Sequence, residues 1–459
     1  MSLTERVSKP SRKDFINIFL FLISIFVIVI AIHGGDRLLI INAAGDIIVV
    51  SICYLILYIF LSQFRHEILD VSRKILFILV AVLTFVLVTR FVITLPERNA
   101  LYLIPFALIP IVIRTFYDAR LALLIMLITL ILTGLMIPEP FEFISVSLIT
   151  GIVAILSLSD INRKYKLLFS SMVVTVTYIV FYLAIILRKT GSLDGFSLTD
   201  IKWFAGNGIL ILAGYPLISL FERKFYFLSD STMLELSDSS HPLLSRLSEE
   251  APGSYQHSLQ VANLAEAASR AIGANVLLAR TGSLYHDIGK ISSPLYFIEN
   301  QISDSNPHHD LDPVKSSRVI INHVEEGVLL AREYKIPVQI IDFIRTHHGT
   351  TKAYYFYKKY LEMKKDPPGM ENEFIYKGPK PFSKEMAIVM MADAVEAASR
   401  TLDRFTDESI SELVERTIIF QEQEEQFSDA PLTFREITEI KDVIKKRLSN
   451  IHHSRITYP

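Results

Sequence analysis

The amino-acid sequence predicts an all-α fold in two parts, a polytopic transmembrane helical bundle followed by an all-helical domain outside the bilayer. The chain has 459 residues, of which 51% are hydrophobic. Its mean hydropathy of +0.38 is high for a soluble protein of this size. The long apolar runs stop near residue 225, and strand-like alternation of polar and apolar residues is nearly absent after that point.

The first part contains eight apolar segments that approach the roughly 20 residues needed to cross a bilayer. We predict crossings at residues 14–33, 47–63, 74–95, 100–116, 120–137, 141–158, 168–188 and 207–221. The short fourth and sixth segments allow a second interpretation, as re-entrant or buried helices. The first run is longer than a signal-peptide core and lacks a clear small-x-small cleavage site, so we expect a retained anchor.

Loop charges predict the orientation of these crossings. An amino terminus inside the cell puts fourteen Lys and Arg residues on the cytoplasmic side and six on the other. This bias agrees with the positive-inside rule. The expected organisation is an amino-terminal cytoplasmic tail with the first anchor (residues 1–40), a polytopic domain (residues 41–224) and a cytoplasmic domain (residues 225–459).

Composition restricts the chemistry of the second part. The single cysteine, Cys53, lies inside the second apolar segment, which excludes an internal disulfide and a cysteine-rich zinc module. From residue 225 onward the chain has 26 Lys and Arg against 34 Asp and Glu. Long nucleic acids are bound through a basic footprint that this acidic part lacks, so we expect no such partner. A small anionic substrate held by metal ions fits better, with His and carboxylate ligands.

The segment SLYHDIGK, residues 283–290, places His286 next to Asp287 in a predicted helix that Gly289 closes. Neighbouring residues on a helix point about a quarter-turn or more apart, and an active metal site usually has three or more protein ligands. If this pair binds metal, the other ligands must come from elsewhere in the chain.

Residues that typically start or end helices indicate where further candidate ligands lie. Asp-Pro at residues 312–313 predicts the start of a helix that carries His323 in its interior. A second helix runs through IPVQIIDFIRTHHG, residues 336–349, and its final glycine places His347 and His348 in the last turn.

Two more candidates lie in alanine-rich or apolar segments. His257 stands where a loop becomes an alanine-rich helix, and Asp393 is a carboxylate within the apolar stretch EMAIVMMADAVEAASR. Burying an unpaired carboxylate is costly, so Asp393 should have a cationic or metal partner. The complete candidate set is His257, His286, Asp287, His323, His347, His348 and Asp393.

Each candidate also has an ordinary structural explanation. An isolated helical His is more often a hydrogen-bonding residue than a ligand, and a His pair at a helix end can complement the helix dipole. Asp287 could be a surface carboxylate and Asp393 half of a salt bridge. Two octahedral ions, by contrast, need about twelve ligand positions. The seven residues, with Asp287 bridging, leave about four of these for water, a bridging hydroxide and substrate phosphate, as in two-metal phosphodiesterases.

The pattern H…HD…H…HH…D around HDIGK resembles the metal-binding pattern of HD-domain phosphohydrolases. The longer phrases HPLLSRLSEEAPGSYQHSLQVANLAEAA, PLYFIENQ, IIDFIRTHHGTT and MADAVEAASR are more specific. They resemble the bacterial seven-transmembrane HD-domain proteins that hydrolyse cyclic di-AMP to the linear dinucleotide pApA. The resemblance covers nearly all of residues 40–459.

That resemblance implies a membrane core in the bacterial cytoplasmic membrane and a cytoplasmic HD hydrolase domain with two divalent ions, iron or manganese. His257, His286, Asp287 and Asp393 would hold one ion, and Asp287, His323, His347 and His348 the other. Lys290 would lie near the phosphate, with Asp287 as a catalytic residue. The alternative for Lys290 is a solvated lysine after a helix cap. Membrane lipid and cyclic di-AMP are the expected partners, and a homo-oligomer is left open.

The sequence departs from the family pattern in two places. The family usually has a large extracellular sensory domain after its first membrane segment, whereas HGGDRLLIINAAGD allows only a short loop. Gln256 stands where the family often has His, and the segment NPHHDLDP carries the doubled His308 and His309. Neither change removes a candidate ligand.

Two rival functions remain open from the sequence. The same chemistry could act on cyclic di-GMP, a nucleoside triphosphate or an alarmone, although the GYP motif of cyclic di-GMP hydrolases does not occur here. Alternatively, the domain could be a non-catalytic nucleotide-binding membrane receptor. Loss of ligands would favour that second rival, and every ligand position is filled.

Overall fold

A computed structural model describes residues 12–33, 40–157, 166–192, 196, 200–301, 306–363 and 370–453. In these ranges the regular secondary structure consists of α-helices, short 3-10 helices and one isolated β-bridge between Lys352 and Ile375. The all-α fold class is therefore confirmed for the described residues. Residues 1–11 of the predicted tail, and residues 34–39 of the predicted short loop, lie outside them. The chain divides into two compact units, residues 1–229 and 230–459.

The first unit is built from long apolar helices. Its described α-helices are α1 (Arg12–His33), α2 (Ile40–Phe64), α3 (His66–Leu69), α4 (Ser72–Ile93), α5 (Leu108–Phe116), α6 (Ala119–Gly134), α7 (Pro140–Ser157), α8 (Lys166–Thr190), α9 (Ile201–Leu212) and α10 (Gly214–Phe225). Large apolar side chains on α1 face outward, for example Phe19 at 61% and Phe26 at 66% exposure. Such faces suit contact with lipid.

The number of long segments differs from the predicted eight. Seven helical segments of the described chain are long and apolar enough to cross a membrane, by length and composition alone. The predicted fourth and sixth segments are among them. The fifth, residues 120–137, falls short because α6 ends at Gly134 after 16 residues. At 1.5 Å per residue this helix is about 24 Å long, less than the ~30 Å hydrocarbon core.

Two predicted crossings are interrupted. The fourth consists of a 3-10 helix, Arg98–Leu103, followed by α5, because Pro105 between them cannot donate a helical hydrogen bond. The eighth starts at Ile201 and not at residue 207, and it breaks between α9 and α10. Pro216 lacks the N–H that would reach the carbonyl four residues earlier, which explains the break near Ala213.

The second unit is a helical domain that places the candidate ligands. Its α-helices are α11 (Asp230–Leu236), α12 (Pro242–Glu250), α13 (Pro252–Ala271), α14 (Val276–Tyr285), α15 (Pro313–Glu333), α16 (Val338–Thr346), α17 (Tyr354–Met363), α18 (Lys384–Ser399), α19 (Asp407–Gln423) and α20 (Phe434–His453). The described 3-10 helices are Ile288–Ser292, Pro294–Tyr296, Ile298–Asn300, Pro307–Asp310 and Glu371–Phe374.

Helix α13 lies in the middle of this unit and packs against α14, α18 and α20. Its buried alanines Ala262, Ala265 and Ala268 have small side chains, which let the neighbouring helices approach closely. The hydrophobic core continues through buried side chains of α18, α19 and α20, among them Val389 and Ile440. Close packing of this kind fixes the relative positions of residues that are far apart in sequence.

The predicted start of α15 is confirmed. The Asp312 side chain accepts hydrogen bonds from the main-chain N–H groups of Val314 and Lys315, at 2.8 and 3.1 Å. Helix α16 ends at Thr346, so His347 is its cap residue and His348 lies in the turn that follows, slightly later than predicted. Gly349 has a positive φ of 52°, as expected for a helix-ending glycine.

The predicted role of Gly289 is wrong. Helix α14 already ends at Tyr285, and Gly289 lies inside the 3-10 helix Ile288–Ser292. Its importance is a close approach to α15: a Cβ added to Gly289 would lie 1.8 Å from the main-chain oxygen of His323 and 2.6 Å from the nitrogen of Gly327. A side chain there would push the segment after Asp287 away from α15.

We predict that Gly289→Ala destabilises the second unit by about 1–3 kcal/mol, because the methyl group overlaps main-chain atoms that cannot rotate away. Amide hydrogen exchange of peptides from α15 measures this loss. Gly45→Ala is the matched control, since a Cβ at Gly45 meets no atom within 4 Å. Unchanged exchange in the Gly289→Ala protein would contradict the close contact.

Candidate metal centre

The structure brings the seven predicted ligands together inside the second unit. They come from α13, the end of α14, α15, the end of α16, and α18. Their ligand atoms form two groups, within each of which the atoms lie within 4.8 Å of one another. One group is His323, His347 and His348, and the other is His257, His286 and Asp393.

Asp287 lies between the two groups, and each of its oxygens faces a different one. Oδ2 is 3.2 Å from Nε2 of His286 and 3.5 Å from Nε2 of His257. Oδ1 is 3.4 Å from Nε2 of His323 and 3.7 Å from Nε2 of His347. Each oxygen of the carboxylate thus lies within 3.7 Å of nitrogen atoms from one His group, an arrangement compatible with a shared metal ligand.

Main-chain carbonyls orient three of the His rings. Nδ1 of His286, His323 and His347 lies 2.6, 2.5 and 2.9 Å from the carbonyl oxygens of the residues three positions earlier. A carbonyl oxygen only accepts, so each Nδ1 carries a proton and donates it. In the neutral ring, Nε2 is then left with a free lone pair directed toward Asp287.

Two buried polar atoms of the site have the chemistry of ligands for divalent metal ions. Nε2 of His286 and Oδ1 of Asp287 are buried, and among the described residues neither has a hydrogen-bond partner. Buried polar atoms are rarely left in this way, and an ion would satisfy both. A set of imidazole nitrogens and carboxylate oxygens is suited to first-row transition metals such as manganese and iron.

The two groups differ in charge. Burial and the neighbouring His side chains lower the pKa of His347, and burial is the main cause that lowers the pKa of His348 to about 3. Burial also disfavours charged His286, but Asp287 and Asp393 outweigh it and raise the pKa of His286 to about 10. The carboxylates therefore favour a positive charge at the group that contains His286.

Glu396 supports the site and was missed by the sequence analysis. Its carboxylate is hydrogen-bonded to Nδ1 of His257, which leaves Nε2 of His257 2.9 Å from Asp393. Arg400 donates to the same carboxylate at 2.8 Å. Glu396 follows Asp393 by three residues, a spacing that puts both side chains on one face of α18. This spacing from Asp393 is the feature of the sequence that could have indicated Glu396.

Lys290 is not a solvated lysine, so that alternative is wrong. Its Nζ lies 2.8 Å from Oδ2 of Asp287 and 2.7 Å from Oε1 of Glu299, and the side chain is 13% exposed. Burial disfavours the ammonium, but the two carboxylates outweigh it and hold the pKa of Lys290 above its usual range. Glu299, also missed, accepts a hydrogen bond from Ser254 at 2.9 Å.

His308 belongs to neither group. Its Nε2 lies 2.9 Å from the carbonyl oxygen of Tyr296, and its ring packs against Phe356. The doubled His at residues 308–309 thus includes a structural residue and adds no ligand to the two groups.

The ligand groups open into a cleft of about 560 Å³. Candidate metal ligands, Lys290 and Glu299 line it, and α18 and its cap residue supply Asp393 and Arg400. The other lining residues come from α19, the loop after α16 and the start of α17. These wall residues, none of them predicted, are Thr351, Tyr354, Arg416, Thr417, Phe420 and Gln421.

Family models match both units. Residues 40–229 match the family described as 7TM receptor with intracellular HD hydrolase, and residues 254–398 match the HD domain. The first match begins after α1. The second contains all seven candidate ligands.

Curated relatives extend over both matches. The chain is 38% identical over 392 residues to the cyclic-di-AMP phosphodiesterase PgpH of Bacillus subtilis, covering 82% of this chain and 54% of the relative. It is 36% identical over 367 residues to the protein of the same name from Listeria monocytogenes, covering 79% and 51%. The chain therefore spans about half the length of these relatives.

Among solved structures, the chain is similar to the PgpH HD domain of Listeria monocytogenes in complex with cyclic di-AMP. The identity is 42%, the match covers 47% of this chain and 100% of that chain, and the TM-score is 0.45.

The successive family matches agree with the division of the structure into an apolar helical unit and a unit that holds the HD ligand pattern. The protein is a multi-pass membrane protein. It belongs to the family of 7TM receptors with an intracellular HD hydrolase domain.

Proposed function

We propose that this chain is a membrane-anchored, metal-dependent phosphodiesterase that hydrolyses cyclic di-AMP to pApA. The observation that carries the proposal is the Asp287 carboxylate, which faces two His groups and lines a cleft. The two relatives named cyclic-di-AMP phosphodiesterase support the choice of substrate. All seven ligand positions of the HD pattern are occupied by His or Asp, which argues against a non-catalytic receptor.

Two divalent ions, manganese or iron, are proposed as cofactors. His257, His286, Asp287 and Asp393 would hold one, and Asp287, His323, His347 and His348 the other. Bound ions of this kind act as Lewis acids toward a phosphoryl oxygen and lower the pKa of water. Glu396 keeps the His257 ring in one tautomer and orientation, which supports metal binding at the first position.

The proposed reaction opens one of the two phosphodiester links of the ring. A water oxygen forms a bond to phosphorus, the bond from phosphorus to the 3′ oxygen breaks, and that oxygen takes up a proton. Lys290 lines the cleft and keeps its positive charge, because Asp287 and Glu299 hold its ammonium in place. It is therefore placed to stabilise negative charge that develops on the phosphate or on the leaving oxygen.

The substrate assignment predicts a defined order of activities. The full chain, purified in detergent and supplied with Mn²⁺, should convert cyclic di-AMP to pApA faster than it cleaves cyclic di-GMP or a nucleoside triphosphate, by about tenfold or more. Chromatography of the products makes the comparison, and chelator-treated protein is the control. Preferential cleavage of cyclic di-GMP or of the triphosphate would overturn the assignment.

We also propose that the hydrolase unit lies in the cytoplasm and that the membrane is the bacterial cytoplasmic membrane. The charge bias of the loops supports this orientation. Alkaline phosphatase, which is active only in the periplasm, should be silent when fused after Pro459. A green fluorescent protein at the same position should fluoresce. The opposite pattern would contradict the proposed cytoplasmic position of the hydrolase unit.

A further inference from the structure

The cleft is lined by more than the candidate metal ligands, and the proposed chemistry gives no role to its residues from α19. Asp393 on α18 and Arg400, the residue that caps α18, both line the cleft; they are seven residues apart, or about 10 Å along the helix axis. The total volume of about 560 Å³ is that of a site for a whole small ligand, in the range of ~300–1,000 Å³. A single phosphate group needs much less space.

Among the three Lys and Arg residues that line the cleft, Arg416 is the one that has no partner in the described part of the chain. Arg400 is ion-paired with Glu396, and Lys290 is ion-paired with Asp287 and Glu299. Arg416, in contrast, makes no hydrogen bond or ion pair with a described residue, although it lines the cleft. Its guanidinium remains available to an anionic group of a ligand.

An aromatic pair stands beside Arg416. Phe420 follows Arg416 by four residues, so both side chains lie on the same face of α19. The Phe420 ring contacts Tyr354, with centroids 5.3 Å apart and planes at 72°. Both rings line the cleft, and the exposed fractions of Phe420 and Tyr354 are 40% and 39%. Partly exposed rings next to a cation are typical of surfaces that hold a nucleobase and its phosphate.

We propose that Arg416 binds the second, uncleaved phosphate of a cyclic dinucleotide, with the adjacent base against Phe420 and Tyr354. This inference rests on the proposed function. A cyclic dinucleotide contains two phosphodiesters in one ring, so the second phosphate must stay in the cleft when the first lies at the metal ligands. Arginine suits this role because its planar guanidinium donates two parallel hydrogen bonds to phosphate. Arg416 therefore favours dinucleotides over substrates with one phosphate.

Two substrates separate this role from a structural one. The full chain, purified in detergent and supplied with Mn²⁺, is assayed with cyclic di-AMP and with bis(p-nitrophenyl) phosphate, a diester that has only one phosphate. Arg416→Gln should raise KM for cyclic di-AMP about 10- to 100-fold, the effect of losing a hydrogen bond to a charged group. The loss of kcat/KM should be much larger for cyclic di-AMP than for the one-phosphate diester. Arg416→Lys should lie between Arg416→Gln and the parent protein.

Arg435→Gln is the matched control, because Arg435 on α20 is 88% exposed and does not line the cleft. Its kinetics should equal those of the parent with both substrates. Equal losses on the two substrates in Arg416→Gln, or no loss on cyclic di-AMP, would overturn the role of Arg416 alone. A parent protein that cleaves the one-phosphate diester and not cyclic di-AMP would overturn the proposed function, and this inference with it.

Discussion

The burial of the Asp287 carboxylate between two groups of His side chains is the constraint on which the second unit depends. A carboxylate with 2% of its side chain exposed is stable only when positive charge surrounds it. Lys290 supplies one such charge, and the His groups have the nitrogen atoms to hold metal ions on both sides. The charge of the buried Asp287 carboxylate is therefore balanced jointly by its neighbours. A change at Lys290 or at one of the His groups alters the electrostatic surroundings of the others.

This arrangement requires helices from distant parts of the sequence to meet closely. The alanines of α13 allow close contact with α14 and α18. His286 caps the end of α14, and Asp393 lies within α18. Gly289 has a similar role on the other side, since it lets the segment after Asp287 touch the main chain of α15 at His323. Small residues thus control the distance between the two ligand groups.

Local signals in the sequence were sufficient for much of the fold and for the seven candidate residues that the structure brings together. Asp312 predicted the start of α15 correctly because an N-cap acts on the next two or three residues only. The role of Gly289 was wrong because the contact that needs glycine is with α15, more than thirty positions later in the chain. Glu299 was missed for the same reason, because its contacts with Lys290 and Ser254 form only in the folded domain. The position of Arg416 in the wall of the cleft likewise depends on tertiary packing.

The most direct test of the shared carboxylate is the metal content of Asp287→Ala, measured by mass spectrometry on the full chain beside a single-turnover assay. If both ion positions use Asp287, the variant should lose metal from both and should not hydrolyse cyclic di-AMP, while its helix content by circular dichroism is retained. Glu325→Ala is the control, because Glu325 is 64% exposed and should leave metal content and turnover unchanged. An Asp287→Ala protein with about two ions per chain and normal turnover would contradict a bridging role for Asp287.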